Sequence, residues 1–326
     1  MDAVVMREYG DASVLHLDEV PAPATETGWV TVQLQASALN WHDVLVRQGR
    51  YSSPLPHVLG ADGAGTRIDT GEEVVLLPSL WWGDDASAPG TNFEILGDHR
   101  WGTYAEAVRV PVDCVAPKPR GLSWEQAAAL PLVGVTTWRA LHTRGRLRAG
   151  ENLLVLGAGG GVATMAVCLA RAMGARVVVT SSSDAKIEQA VSLGAAGGVR
   201  YTDPDWVEAA RALSLAGRGF DLVLDSVGTW AESLACLRPG GRLVVLGASR
   251  AESVVLEPRP FYFGQFELIG TTMGSPRDFR ALLDLFHTGQ VAPPPIARTF
   301  PLAEAADAHR FLESGGGFGK VVLTRG

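Results

Sequence analysis

The fold is decided by L153-L-V-L-G-A-G-G-G-V-A-T-M-A-V-C-L-A-R-A-M-G174. Its first four residues are an unbroken apolar run of strand length, and G157-A-G-G-G ends that run. Beyond the break, Val162, Met165, Ala166, Leu169, Ala170 and Met173 recur on one face at helical spacing. Gly174 follows where a helix C-terminus favours left-handed backbone. Strand, glycine turn and helix together let main chain approach a pyrophosphate with no side chain between, at the positive end of a helix dipole. The turn is not a clean G-x-G-x-x-G, because Val162 and Ala163 fall where a last glycine could stand. The setting, more than the spacing, points to a bound dinucleotide.

The same alternation continues downstream. V177-V-V-T reads as a strand and A185-K-I-E-Q-A-V-S-L as a helix closed by Gly194. V199-R-Y, D221-L-V-L-D, R242-L-V-V-L-G and E267-L-I-G-T-T supply further strands, with helices near 205–213 and 230–237. Strands separated by helices of this length predict a doubly wound, parallel, six-stranded sheet. Upstream the texture differs. V30-T-V-Q-L-Q-A alternates with period two, and V74-V-L-L-P, Y104-A-E-A-V-R-V and D113-C-V-A read as short strands. Residues 81–102 hold no sustained period and read as a long loop, while S123-W-E-Q-A-A-A-L and T136-T-W-R-A-L-H-T read as helices. The tail holds helices at F279-R-A-L-L-D-L-F and A303-E-A-A-D-A-H-R-F-L, then a strand at V321-V-L. The expected domains are 1–122, a nucleotide-binding domain over 123–265, and 266–326 returning to the first, with the sixth strand of the parallel sheet near 267–272.

At 326 residues, with 47% hydrophobic and 19% charged residues, the chain can build two ordinary cores. A net charge of −7 gives no electrostatic reason to bind nucleic acid or an anionic membrane surface. No apolar run is long enough to span a bilayer, and M1-D-A-V-V-M-R-E-Y lacks the pattern of a signal peptide. Three scattered cysteines fit a reducing, cytoplasmic setting.

Cofactor choice is read at the end of the second strand of the parallel sheet, where an NAD site usually places Asp or Glu on the ribose diol. Here V177-V-V-T ends in S181-S-S without an acid, and Lys186 follows nearby. Serine hydroxyls and a lysine suit a 2′-phosphate, so NADP(H) is the expected cofactor. Ser183 or Asp184 can at the same time cap the next helix.

The pieces A38-L-N-W-H-D, R47-Q-G-R-Y, G60-A-D-G-A-G, G102-T-Y-A-E, L130-P-L-V-G-V-T-T-W, the glycine turn, D221-L-V-L-D-S-V-G, L237-R-P-G-G-R-L-V-V-L-G and F318-G-K-V-V-L run in order over nearly the whole chain. Together they resemble the medium-chain dehydrogenase/reductase superfamily, on the zinc-free side that includes NADPH:quinone reductases and enoyl reductases. The resemblance implies a GroES-like, mostly-β catalytic domain, a Rossmann domain and a deep cleft between them. It implies Thr136 near the nicotinamide, with Gly159, Gly160, Gly161 and Val162 at the pyrophosphate. Ser181, Ser182, Lys186 and Tyr201 would lie at the adenosine 2′-phosphate, with Gly247 and Lys320 also on the cofactor. It further implies a homodimer, with the strand at E267-L-I-G-T-T as a candidate edge.

Zinc-dependent members carry a cysteine where this chain has Asn40 and a His-Glu pair where it has Ala61-Asp62. Catalytic zinc takes about three protein ligands, so no metal site is expected. An acceptor already primed for hydride, a quinone or an α,β-unsaturated carbonyl, is then the expected substrate, because its developing oxyanion can be held by hydrogen-bond donors alone. Asn40, Tyr51 and Asp43 are the candidate catalytic residues: Asn40 and Tyr51 as donors, Asp43 in the first turn of the helix that Asn40 opens. His42 is read as an ordinary helix residue. Trp81, Trp82, Trp101 and Tyr104 could wall a substrate site or form a local core. The rival readings are a zinc-type alcohol dehydrogenase and a non-catalytic NADPH-binding redox sensor.

Overall fold

The strand Trp29–Ala38 organises the N-terminal part of the computed structural model, which describes every residue except Thr25, Arg250, Gly316 and Gly326. Its side chains alternate between buried and half-buried up to the last three positions, as the period-two pattern predicts. It pairs antiparallel with Asp62–Arg67, with Ala107–Pro111 and with the C-terminal strand Lys320–Thr324. The seven-stranded sheet runs Val115–Pro117, Glu73–Leu76, Asp62–Arg67, Trp29–Ala38, Lys320–Thr324, Ile296–Pro301, with Ala107–Pro111 off this path. A smaller sheet orders His16–Glu19, Asp2–Met6 and His57–Val58. Beneath it lies a core that includes Met6, Leu39, Leu59, Tyr104, Phe300 and Leu323.

The glycine-turn region folds as the sequence predicts. Six parallel strands, Asn152–Val155, Arg176–Ser181, Gly197–Arg200, Phe220–Asp225, Leu237–Val245 and Glu267–Gly270, take the spatial order third, second, first, fourth, fifth, sixth. That is the doubly wound order in which a dinucleotide lies at the switch between the first and fourth strands. The helix Gly161–Ala172 buries Ala163 to Ala170 and is followed by Gly174 at φ +76°.

The chain divides into two compact units: 1–135 with 274–289 and 293–326, and 136–273 with 290–292. The division falls thirteen residues beyond the expected boundary, because the helix Trp124–Ala128 packs on Trp29–Ala38 and Asp62–Arg67. The sixth strand, Glu267–Gly270, lies with the parallel sheet. Other differences are local. Val112–Cys114 is a short 3-10 turn ahead of its strand, and Tyr104 to Glu106 precede the strand Ala107–Pro111 instead of beginning it. The loop 81–102 contains one half of a small hairpin, Ser79–Leu80 with Glu94–Ile95. No helix among the described residues is long and apolar enough to cross a membrane.

Candidate active site

Three neighbouring strands converge on one buried point in the first unit. Ala38 is in register with Asp62 on one side and with Val322 on the other, and the Leu39 N–H donates to the Val321 carbonyl. Two residues past Ala38, Asn40 therefore stands between Asp62 and Lys320. The Lys320 Nζ donates to Asn40 Oδ1 at 2.6 Å and to Asp62 Oδ2 at 3.1 Å. Asn40 Nδ2 donates to the same Asp62 oxygen at 3.0 Å, and Asp62 Oδ1 accepts the Leu132 N–H at 2.7 Å. Asn40, Asp62 and Lys320 are 5%, 0% and 3% exposed. This pairing fixes the amide: its oxygen must face the ammonium and its nitrogen the carboxylate.

Asn40 also opens the helix Trp41–Arg47, whose polar residues Asn40, Asp43 and Arg47 share one buried face at i, i+3, i+7. Asp43 Oδ2 accepts the Asn40 backbone N–H at 2.8 Å and the Tyr104 hydroxyl at 3.0 Å. The Tyr104 oxygen lies 3.2 Å from His309 Nε2, and Arg47 lies 3.3 Å from His309 Nδ1. Arg47 closes the series with two hydrogen bonds to Glu313, at 3.0 and 2.7 Å. Tyr104 reaches this position because chain segments cross closely behind it; a Cβ on Gly102 would lie 2.1 Å from the Gly60 carbonyl oxygen.

Burial dominates the electrostatics. It pushes Asp43 up to about 6, although the Asn40 N–H, His42, Lys320 and Tyr104 all favour its anion. Burial and then the Arg47 charge hold His309 down at about 3, so His309 is neutral. Burial, with the Asp43 carboxylate, raises the Tyr104 hydroxyl well above its usual range. Tyr104 is thus a fixed donor to Asp43 and belongs to this network, apart from Trp81, Trp82 and Trp101. Trp82 is buried against Phe93, and Trp81 packs edge-on to Trp29 beneath Arg100.

The other expected residues fall in several places. Tyr51 is 46% exposed, with its ring 4.7 Å from that of His42. His42 is more than a plain helix residue: its Nε2 lies 2.5 Å from Asp98 Oδ1, and although burial opposes it, the Asp98 carboxylate raises its pKa. Lys320, expected on the cofactor, bonds Asp62 and Asn40 within the first unit.

In the second unit, Gly157 at φ +103° donates its N–H to Thr180 Oγ1, and Gly160 is the N-cap of the helix that begins with Gly161 and Val162. A Cβ on Gly160 would meet nothing within 4 Å, which leaves main chain open to a ligand as a pyrophosphate cradle requires. Ser181 ends its strand beside Arg200, Ser182 is exposed after it, and Tyr201 donates its N–H to the Ser181 carbonyl. Lys186 is half-buried in the first turns of the following helix. Gly159 is buried in the turn and Gly247 exposed after the fifth strand, while Thr136 is buried with its hydroxyl 3.8 Å from Met273 Sδ. These residues fit a dinucleotide.

A catalytic metal does not fit. Both oxygens of Asp62 are already held, one by a main-chain N–H and the other by an amide and an ammonium. Among the described residues no group of three or more His, Cys, Asp or Glu side chains could hold a metal ion. The three cysteines are buried and, among the described residues, belong to no such group; burial raises Cys114 and Cys236 to about 12 and Cys168 to about 11.

Residues 26–120 match the alcohol dehydrogenase GroES-like domain family, and residues 161–288 match the zinc-binding dehydrogenase family. The chain is 33% identical to the zinc-type alcohol dehydrogenase-like protein YogA of Leptosphaeria maculans, over 95% of this chain and 94% of that protein. It is 32% identical to 2-methylene-furan-3-one reductase of Solanum lycopersicum, over 99% of this chain and 79% of that protein. A crystal structure of an NAD-dependent alcohol dehydrogenase superposes with a TM-score of 0.95 at 39% identity, covering 100% of both chains.

Proposed function

This chain belongs to the medium-chain dehydrogenase/reductase superfamily, with relatives on its quinone-oxidoreductase-like branch, and from that premise we propose that it is a zinc-independent, NADPH-dependent reductase of quinones or α,β-unsaturated carbonyl compounds. The observation that carries this reading is the state of Asp62. It is the one residue able to ligate a metal at the positions where zinc-dependent members hold theirs, and its oxygens are committed to Leu132, Asn40 and Lys320.

NADPH, when bound, supplies a hydride. The chain's own contribution is to hold the nucleotide and to stabilise the oxygen on which negative charge develops. An acceptor whose charge moves onto a phenolate or enolate oxygen needs only preorganised donors, whereas the less stable alkoxide of an unactivated alcohol is what the Lewis acid of zinc-dependent members serves. Preference for NADPH is supported by the strand ending at Ser181 and running into Ser182 without an acid, with Lys186 nearby. The 2-methylene-furan-3-one reductase of Solanum lycopersicum is a relative whose name matches the proposed acceptor class. We further propose a cytoplasmic homodimer joined at Glu267–Gly270, which among the described strands pairs only with Leu237–Val245; light scattering at micromolar concentration checks the dimer.

The test follows NADPH and NADH absorbance against quinones, enals, enones and simple aldehydes, with and without a chelator. Turnover of quinones or enones that survives chelation is expected. Loss with chelator, or turnover confined to simple alcohols and aldehydes, overturns the proposal. Lys186→Ala is expected to raise KM for NADPH by about tenfold or more, as the loss of a charge-assisted bond would, and to leave KM for NADH little changed. Equal effects on both would remove the case for a 2′-phosphate site.

A further inference from the structure

We propose that Lys320 and Asn40 form the donor pair that holds the acceptor's oxygen during reduction, with Asp62 as the residue that positions both. The inference rests on the reductase reading above and assigns it a fixed internal cation. Lys320 has three N–H groups, and among the described residues two of them are taken, by Asn40 Oδ1 and Asp62 Oδ2. Asn40 has two amide N–H groups: one donates to Asp62 at 3.0 Å, and the other finds only the Ala38 carbonyl at 3.5 Å. Among the described residues each therefore keeps one N–H with no partner closer than 3.5 Å, on two nitrogens that both bond Asp62 Oδ2, in surroundings that exclude most water.

An ammonium and an amide locked side by side have the chemistry of an oxyanion site. When hydride adds to the acceptor carbon, its electron pair forms the new C–H bond. The π pair of the acceptor then shifts to oxygen, giving an enolate or phenolate. Lys320 and Asn40 donate to that oxygen, and a proton from water completes the product. Asp62 balances the ammonium in the resting site and sets the amide's orientation, so the donors need no rearrangement when charge appears. Lys320 is brought there by strand register alone, through Val322 opposite Ala38.

Removing Lys320 alone would strand the Asp62 carboxylate in the core, so the decisive variant is the neutral pair Lys320→Gln with Asp62→Asn. The double variant is compared with the parent for thermal unfolding, for NADPH affinity by fluorescence, and for kcat and KM with 1,4-benzoquinone and 2-butenal. Unfolding and NADPH affinity close to the parent's, with kcat lowered about 10²–10³-fold, are expected for loss of one oxyanion donor. Across enones of graded electron deficiency, the variant's rates should also depend more steeply on the acceptor, which a merely structural pair would not cause. A double variant that keeps kcat within threefold of the parent overturns the assignment. Should that variant fail to fold, Asn40→Ala decides: a fall in kcat at unchanged NADPH affinity supports the pair, and an unchanged kcat overturns it. If the parent reduces neither quinones nor enones, the reductase reading falls, and the same comparison on whatever carbonyl it does turn over still tests Lys320.

Discussion

Glu313→Ala is expected to lower the free energy of unfolding by about 3–5 kcal/mol, and Arg47→Met by less, about 1–3 kcal/mol. The two residues form one ion pair, so equal effects would be the simple expectation. Their surroundings differ. The Arg47 side chain is completely buried, whereas that of Glu313 is 27% exposed. Without Glu313, Arg47 keeps a full charge in the core, hydrogen-bonded among the described residues to the Gly10 carbonyl and a neutral His309, with the Asp11 carboxylate acting on it only through space. Breaking a buried pair from that side costs most, because the remaining charge has nowhere to go. Without Arg47, the Glu313 carboxylate can turn to water, and the main loss is the donor to the Gly10 carbonyl and to His309 Nδ1. Urea midpoints at constant m measure both; an Arg47→Met variant less stable than Glu313→Ala would refute this account.

The parallel sheet was readable because its signals are local. A glycine turn, helical spacing and alternating strands each occupy fewer than about twenty consecutive residues, and right-handed crossovers leave few ways to assemble them. Asn40 and Asp43 were readable for the same reason, as a helix start. The rest of the candidate site joins residues far apart in sequence: Lys320 to Asn40, His309 to Tyr104, Glu313 to Arg47. No periodicity encodes which strand returns beside which. One signal was present: Asn40, Asp43 and Arg47 repeat on the face of a helix whose other buried residues are valines, so polar partners had to come from elsewhere. Proximity in sequence alone sets Tyr104 beside the tryptophans. Its hydroxyl, buried in an apolar core, needed a partner that only the folded chain could identify.

The Asp43–Tyr104–His309 series also makes a specific prediction about acid. His309 is held at about 3 when folded, against about 6.5 in an unfolded chain. Between those values only the unfolded state carries the proton, so this residue's contribution to stability is lost as pH falls, by about 1.4 kcal/mol per unit. Asp43 has the opposite sign. It titrates near 6 when folded and near 3.8 when unfolded, so between those values only the folded state carries its proton. Its contribution is present at low pH and is lost as pH rises through 6. Between about pH 4 and 6 each state holds one proton on this pair, on Asp43 when folded and on His309 when unfolded, and the two slopes cancel. Substitution should separate them. Relative to the parent, His309→Gln is expected to gain stability as pH falls from 6 to 4, by about 1.4 kcal/mol per unit, and Asp43→Asn to lose stability at a similar rate. Denaturant unfolding at half-unit steps from pH 4 to 7.5 measures the difference curves. Two curves that stay flat across pH 4–6 would show that neither group titrates out of step with its unfolded state. Two that slope the same way would show that the groups titrate but that the signs assigned to them are wrong.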